Sequence, residues 1–174
     1  MQRAFRESTY VSGNAGECGA IGMSGNQPVL EGGNMIRVDE YSRLVYLGHK
    51  VSGDVLANVE RAQQHLKRLQ LENVPNGIHI IAPWMTEVLI HDDSDPDQRR
   101  QGLESCKYTI KRCDELWLVR HPGEDLSSGM LEEAEFAFRC GQIVKVLTYV
   151  PRAARYIRNV FPSLEALRSV YVPS

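Results

Sequence analysis

From Ser42 onward, short apolar runs closed by glycine or a turn residue alternate with longer amphipathic stretches, and few folds accept that order. Leu44-Val45-Tyr46-Leu47 stops at Gly48, and Ile78-His79-Ile80-Ile81-Ala82 stops at Pro83. Glu115-Leu116-Trp117-Leu118-Val119 and Ile143-Val144-Lys145-Val146-Leu147 complete four candidate strands. Runs this apolar on both faces suit strands buried in a parallel sheet. Between them, residues 54–69 place Val55, Leu56, Val59, Ala62, Leu66 and Leu69 at helical spacing, with Glu60, Arg61, Lys67 and Arg68 opposite. Residues 97–112 and 131–140 read as further helices, the latter stopped by Gly141 at the C′ position. The stretch holding Asp92, Asp93, Asp95 and Pro96 is too rich in turn formers for regular structure. Beyond Pro151 the pattern predicts short helices around 153–160 and 163–170. Strand–helix alternation implies an α/β fold, an open parallel sheet with helices on both faces. Ligands of such sheets sit at the carboxyl ends of the strands.

The first forty residues are built differently. Seven of the fourteen glycines fall there, large apolar residues are sparse, and neither helical nor strand period survives. Such a segment buries too little surface to offset its ordering entropy, so residues 1–40 are expected to be a flexible Gly/Asn/Ser-rich arm. Met35 is a second candidate start. The expected organisation is therefore an arm (1–40), one domain (41–150) and a C-terminal helical extension (151–174).

Charge and cysteine usage exclude several function classes. Twenty Lys+Arg against twenty-two Asp+Glu leave a net charge of −2, without the basic excess that duplex nucleic acid demands. No apolar run approaches a membrane span, and the first ten residues lack the apolar core of a signal peptide. Cys18, Cys106, Cys113 and Cys140 make no CxxC pair and no zinc spacing. The expectation is a cytoplasmic protein with reduced thiols, no metal, no cofactor and no membrane or duplex partner.

Two strand ends carry the candidate chemistry. After the first strand, Gly48-His49-Lys50-Val51-Ser52-Gly53-Asp54 leads into a helix N-terminus, where free N–H groups favour an anion or polar ligand. Helix capping by Ser52 or Asp54 explains the same residues structurally. After the third strand, Ser127-Ser128-Gly129 opens a helix whose inner stripe is Met130, Glu133, Ala137 and Cys140, while Glu132 and Glu135 point elsewhere. A carboxylate on a buried face, one turn from a site-facing loop, is a candidate nucleophile or base. The bland alternative is an acidic first turn complementing the helix dipole. Trp117 is simplest as core, and Arg99-Arg100 as a solvated helix face.

Three segments in register resemble the nucleoside 2-deoxyribosyltransferase-like superfamily, particularly its uncharacterised phage and bacterial branches. They are Tyr46-Leu47-Gly48-His49-Lys50-Val51-Ser52-Gly53 followed by Asn58, then Cys113-Asp114 opening the third strand, then Ser127-Ser128-Gly129-Met130 with Glu133 and Ala137. The resemblance covers roughly residues 43–148. It implies a flavodoxin/Rossmann-like fold, cleavage or transfer of the N-glycosidic bond of a (deoxy)nucleoside or its 5′-monophosphate, and a homodimer or larger homo-oligomer. It implies that Glu133 is the nucleophile forming a covalent glycosyl-enzyme, and that Tyr46 orients it. By the same resemblance Gly48, His49, Ser52, Gly53, Ser127, Ser128 and Gly129 bind substrate, Ser127 and Gly129 around a 5′-phosphate or 5′-hydroxyl. Trp84 is the candidate to stack on the base, and Asp114 anchors its strand. Two positions depart from the pattern. Lys50 stands where proline is usual, and Cys106, eight residues before Asp114, stands where several members place the aspartate that protonates the leaving base. Asp92, Asp93 or His91 are the candidate substitutes. The other reading from a different class is a non-catalytic nucleotide-binding or sensing module. Residues 153–170, with Ile157, Val160, Phe161, Leu164 and Leu167, are expected to pack on the domain or on a second subunit.

Overall fold

The computed structural model describes residues 42–92 and 94–171. The expected arm at 1–40, with Met35, lies outside the described residues, as does Asp93. The chain runs β1 (Arg43–His49), α1 (Val55–Asn73), β2 (Ile78–Ile81), α2 (Trp84–Ile90), α3 (Pro96–Ile110), β3 (Glu115–Arg120), α4 (Ser128–Arg139), β4 (Ile143–Val150), β5 (Arg155–Phe161) and α5 (Leu164–Tyr171). The five strands form one sheet in the order β2-β1-β3-β4-β5. β2, β1, β3 and β4 are mutually parallel, and β5 runs antiparallel to β4 at the edge. This is an α/β fold with the doubly wound order of flavodoxin-like sheets, whose strand order reverses between β1 and β3.

Alternation along the strands divides the core between the faces. Tyr46, Leu116, Leu118, Val144 and Val146 pack with Cys106 and Ile110 of α3, Met130, Ala134 and Ala137 of α4, and Leu167 of α5. Val45, Leu47, Trp117, Val119 and Leu147 pack on the other face with Leu66 and Leu69 of α1. Asp114 anchors the central strands to each other: its carboxylate accepts from the Leu44 N–H at 2.7 Å, and its own N–H donates to the Leu44 carbonyl at 2.8 Å. Glu115, buried beside Trp117, accepts from Arg43 (2.7 Å), the Trp117 indole N–H (2.6 Å) and Lys145. Burial pushes this carboxyl up, but the Lys145 and Trp117 bonds and the flanking cations outweigh it and hold the group below its ordinary value.

Three expectations are corrected. Residues 153–160 do not form a helix. A single 3-10 turn at Pro151–Ala153 and a left-handed Ala154 (φ 47°) reverse the chain, and Arg155–Phe161 pairs with the free edge of β4, from Val150↔Arg155 to Val144↔Phe161. Tyr156, Ile157, Val160 and Phe161 favour a strand wherever such an edge is available. Second, a helix over Trp84–Ile90 follows Pro83 directly, where only a polar loop was expected to intervene. Third, the inner stripe of α1 is Asn58, Ala62, His65, Leu69 and Asn73, whereas Leu56 is exposed. The polar members of that stripe have partners: Asn58 Nδ2 donates to the Val51 and Ser52 carbonyls, Asn73 Nδ2 to that of Leu69, and His65 bonds Tyr156. In the tail, Leu167 and Tyr171 are buried on the sheet, while Ile157 and Val160 remain exposed. Among the described residues, no helix is long and apolar enough to cross a membrane.

Candidate active site

Tyr46 stands on the α3/α4 face of β1, and Glu133 stands on the inner stripe of α4. The sheet and helix converge so that the Tyr46 hydroxyl donates to Glu133 Oε1 at 2.7 Å, across 87 residues of sequence. Both side chains are buried. Burial pushes the Glu133 carboxyl up to about 7, against the lowering effect of the Tyr46 bond and with a further rise from Glu132. The same burial, with Glu133 close by, raises Tyr46 well above its ordinary value, so it remains a neutral donor. The other carboxylate oxygen of Glu133 approaches Gly48. A Cβ at position 48 would lie 2.7 Å from Glu133 Oε2 and 2.7 Å from Leu118 Cδ2, so the bare backbone is a spatial requirement of the carboxylate.

Glu133 forms part of the wall of a cleft, open to solvent, at the carboxyl end of the sheet. The β1–α1 loop contributes His49, Val51 and Ser52; α2 and its end contribute Trp84, Glu87, Val88 and His91; α3 contributes Arg99, Gly102, Leu103 and Cys106. Ser127, Ser128, Gly129 and Met130 close it at the start of α4. Ser127 caps α4, its hydroxyl accepting from the Met130 N–H at 3.3 Å and its carbonyl from the Leu131 N–H at 3.0 Å. The N–H groups of Ser128 and Gly129 remain as the open donors of that helix end. Arg99 extends from α3 to the same point, with Nη2 3.5 Å from Ser128 Oγ.

His49 Nδ1 bonds the Lys50 carbonyl at 2.9 Å, whereas its Nε2 is buried without a protein partner. Burial lowers the affinity of this ring for a proton. Behind it lies a cluster of rings: His65 sits 5.7 Å from His49 between centroids, bonds the Tyr156 hydroxyl at 2.7 Å, and reaches His121 at 3.3 Å. Burial first, then the charges of His49 and His121, hold His65 down to about 4. Cys106 is buried within reach of Tyr46, and burial pushes its thiol up to about 12, so it stays protonated.

Several sequence candidates have other places in the molecule. Trp84 lines the cleft but is only 4% exposed, its indole N–H donates to the Leu47 carbonyl at 2.7 Å, and its ring stacks on His49. It is a wall, with little free surface for a base. Gly53 turns the loop with φ 95° and does not line the cleft. Asp54, not Ser52, caps α1. Asp92 is exposed and occupied by the Ser94 N–H (2.9 Å) and hydroxyl (2.7 Å), and Lys50 is exposed outside the wall. Cys140 is exposed rather than part of the inner stripe of α4, because the helix ends at Arg139. Arg99 is the cleft residue that sequence reasoning set aside. The spacing of 99, 102 and 106 on one face of α3 is the signal that could have found it. Among the described residues, no group of three His, Cys, Asp or Glu side chains is arranged to hold a metal ion.

The solved structures similar to this chain include two transferases. A 2-deoxyribosyltransferase from Bacillus psychrosaccharolyticus is 17% identical, with a TM-score of 0.43, covering 62% of this chain and 74% of that one. A 2-desoxiribosyltransferase from Leishmania mexicana is 11% identical, with a TM-score of 0.42, covering 75% and 97%. No curated protein matches. Residues 43–147, from the first residue of β1 nearly to the end of β4, match the model of the family described as Domain of unknown function (DUF7768), and the chain belongs to that family.

Proposed function

We propose that this protein cleaves the N-glycosidic bond of a nucleoside or nucleoside 5′-monophosphate, with Glu133 as nucleophile. One observation carries the reading: a buried carboxylate, hydrogen-bonded by Tyr46 on one oxygen, stands in the wall of an open cleft at the strand ends. Cleavage at an anomeric carbon proceeds through an oxocarbenium-like transition state, which a carboxylate stabilises before it bonds. Attack by the unbonded Glu133 oxygen on the anomeric carbon expels the base and leaves a glycosyl ester. Water then releases the sugar, or an acceptor base takes it. Tyr46 holds one oxygen so that the other is presented, and the open Nε2 of His49 is available to a sugar hydroxyl. The motif resemblance in register supports the same assignment.

The test is chromatographic detection of free base from a panel of ribo- and deoxyribonucleosides and their 5′-monophosphates, with and without an acceptor base, beside Glu133→Ala. Base release by the wild type alone establishes cleavage, and a new nucleoside formed only with acceptor establishes transfer. No release from any substrate rejects the enzyme reading.

The 5′ end of the substrate is assigned to the start of α4. Open N–H groups at a helix N-terminus, the Ser128 hydroxyl and the Arg99 guanidinium converge there, a combination suited to phosphate. Arg99→Ala is expected to raise KM for 5′-monophosphates roughly 10- to 100-fold, the cost of one charge-assisted contact, and to affect unphosphorylated nucleosides much less. Equal effects on both substrate classes would remove Arg99 from the phosphate site.

A further inference from the structure

Breaking a bond between an anomeric carbon and a base nitrogen needs a proton for that nitrogen, since a deprotonated base is a poor leaving group. The cleft wall supplies few candidates. Cys106 is held as a thiol, and Tyr46 is a buried phenol already bonded to Glu133. At His49, burial first, then the nearby His121 and Arg61, disfavour the protonated ring. Arg99 gives up no proton.

There remains a pair at the end of α2. His91 Nε2 lies 3.2 Å from Glu87 Oε2, one helical turn earlier, and Ser105 of α3 donates to Glu87 Oε1 at 2.6 Å. Both carboxylate oxygens of Glu87 are therefore held, one by α3 and one by the imidazole. A carboxylate on one ring nitrogen fixes the orientation of the other. The His91 ring lies over the bare face of Gly102, with Cδ2 3.5 Å from where a Cβ would be. Gly102 precedes Cys106 by four residues, about 6 Å along the helix. Cys106 in turn lies close enough to feel both Glu133 and Glu87. Glu133, Cys106 and His91 thus line one cleft, with the carboxylate-oriented imidazole on the same wall as the nucleophile.

We infer that His91, oriented by Glu87, is the catalytic acid and base of this cleft. The inference rests on the glycosidic reading above. As Glu133 bonds the anomeric carbon, the C–N electron pair leaves with the base and takes the proton from Nδ1 of the His91 imidazolium. The neutral imidazole then accepts a proton from the incoming water, whose oxygen replaces Glu133 on the anomeric carbon. The cycle returns Glu133 as carboxylate and His91 as imidazolium. Net, one water is consumed, and base and sugar are released. Glu87 acts through His91 and is a positioning residue.

The experiment compares leaving groups. Wild type, His91→Asn, His91→Gln and Glu87→Gln are assayed on the best unactivated substrate and on two substrates whose leaving group needs no proton. These are 7-methylguanosine, which carries a fixed positive charge on the base, and the 4-nitrophenyl glycoside of the same sugar. Loss of the acid is expected to cost roughly 10²- to 10⁴-fold on the unactivated substrate and far less on the activated pair, because general acid catalysis contributes that much and the activated groups do not use it. Glu87→Gln is expected to shift the same ratio by a smaller factor, and a variant combining Glu87→Gln with His91→Asn to resemble His91→Asn alone. Equal losses on all substrates, or none, overturn the acid assignment while leaving Glu133 chemistry intact. A wild type that cleaves no substrate overturns both. Two substitutions at His91, each checked by thermal melting, separate a folding defect from a chemical one, since unfolding lowers all rates alike.

Discussion

Glu133→Gln is expected to release no base above background, and to melt at a higher temperature than the wild type at pH 8. Both outcomes follow from one burial. The amide retains the size of the side chain and can accept from Tyr46, but it has no nucleophilic carboxylate, so a loss of at least about 10⁴-fold is expected. The stability effect has a definite sign. The Glu133 carboxyl titrates at about 7 in the fold, against 4.5 in ordinary surroundings. Between those pH values the native state keeps a proton that the unfolded chain has lost, so native stability falls as pH rises from 4.5 to 7, and the deficit is complete above 7. Removing the charge recovers about 3 kcal/mol, roughly 6–12 °C in a domain of this size. At pH 4, where the wild-type group is protonated in both states, the difference is expected to vanish. Melting curves of the two proteins at pH 4 and pH 8 provide the check, and parallel curves at both would disprove the buried-charge argument. The same group sets the activity profile: glycosyl-enzyme formation needs the carboxylate, so on substrates whose leaving group needs no proton the rate rises about tenfold per pH unit below 7 and levels above it.

Gly48→Ala is expected to lose about 10²-fold or more in kcat, with substrate binding affected less. The added methyl meets Glu133 Oε2 and Leu118 Cδ2 at 2.7 Å each, inside any tolerable contact. Tyr46 fixes the other oxygen of Glu133, so the carboxylate cannot rotate away without giving up that bond. A displacement near 1 Å at a nucleophile is worth about two orders of magnitude. Overpacking also costs about 1–3 kcal/mol of stability. A double-variant cycle isolates the cause: in a Glu133→Ala background, part of the clash is gone, and Gly48→Ala should destabilise less than it does in the wild type. Additive melting shifts would mean that Leu118 alone resists the methyl.

Much of this arrangement was legible before any coordinates. β1 to β4 announce themselves because strands buried on both faces must be apolar throughout, and α1, α3 and α4 because their inner stripes recur at helical spacing. Tyr46 and Glu133 were each identifiable as candidates, but their 2.7 Å contact depends on how β1 and α4 converge, which local pattern does not encode. β5 was misread because an exposed edge strand has no alternation of burial to display; its partner, the free edge of β4, decides its conformation. Hydrophobicity alone places Leu56 inside α1, whereas the true inner stripe spends its polar groups on the Val51 and Ser52 carbonyls, on the Leu69 carbonyl of the helix itself and on Tyr156. α2 was hidden by the acidic turn that follows it, and with it went the pairing of Glu87 and His91. Arg99 looked like half of a solvated pair; its neighbour Arg100 does pair with Asp97, at 2.9 Å, while Arg99 turns to the cleft.

The antiparallel edge strand has a consequence for solubility. β4 is apolar along most of its length, and without Arg155–Phe161 its outer edge would offer a row of unpaired N–H and C=O groups to any passing chain. β5 covers that edge and presents arginines 155 and 158 along its length, with Pro162 directly after it, features that discourage a further strand from adding. Cutting the chain after Val150 would keep every proposed catalytic residue and still yield material that aggregates through β4, which sedimentation of the truncated protein would reveal. Arg155–Phe161 is the cover that keeps this sheet from becoming a template.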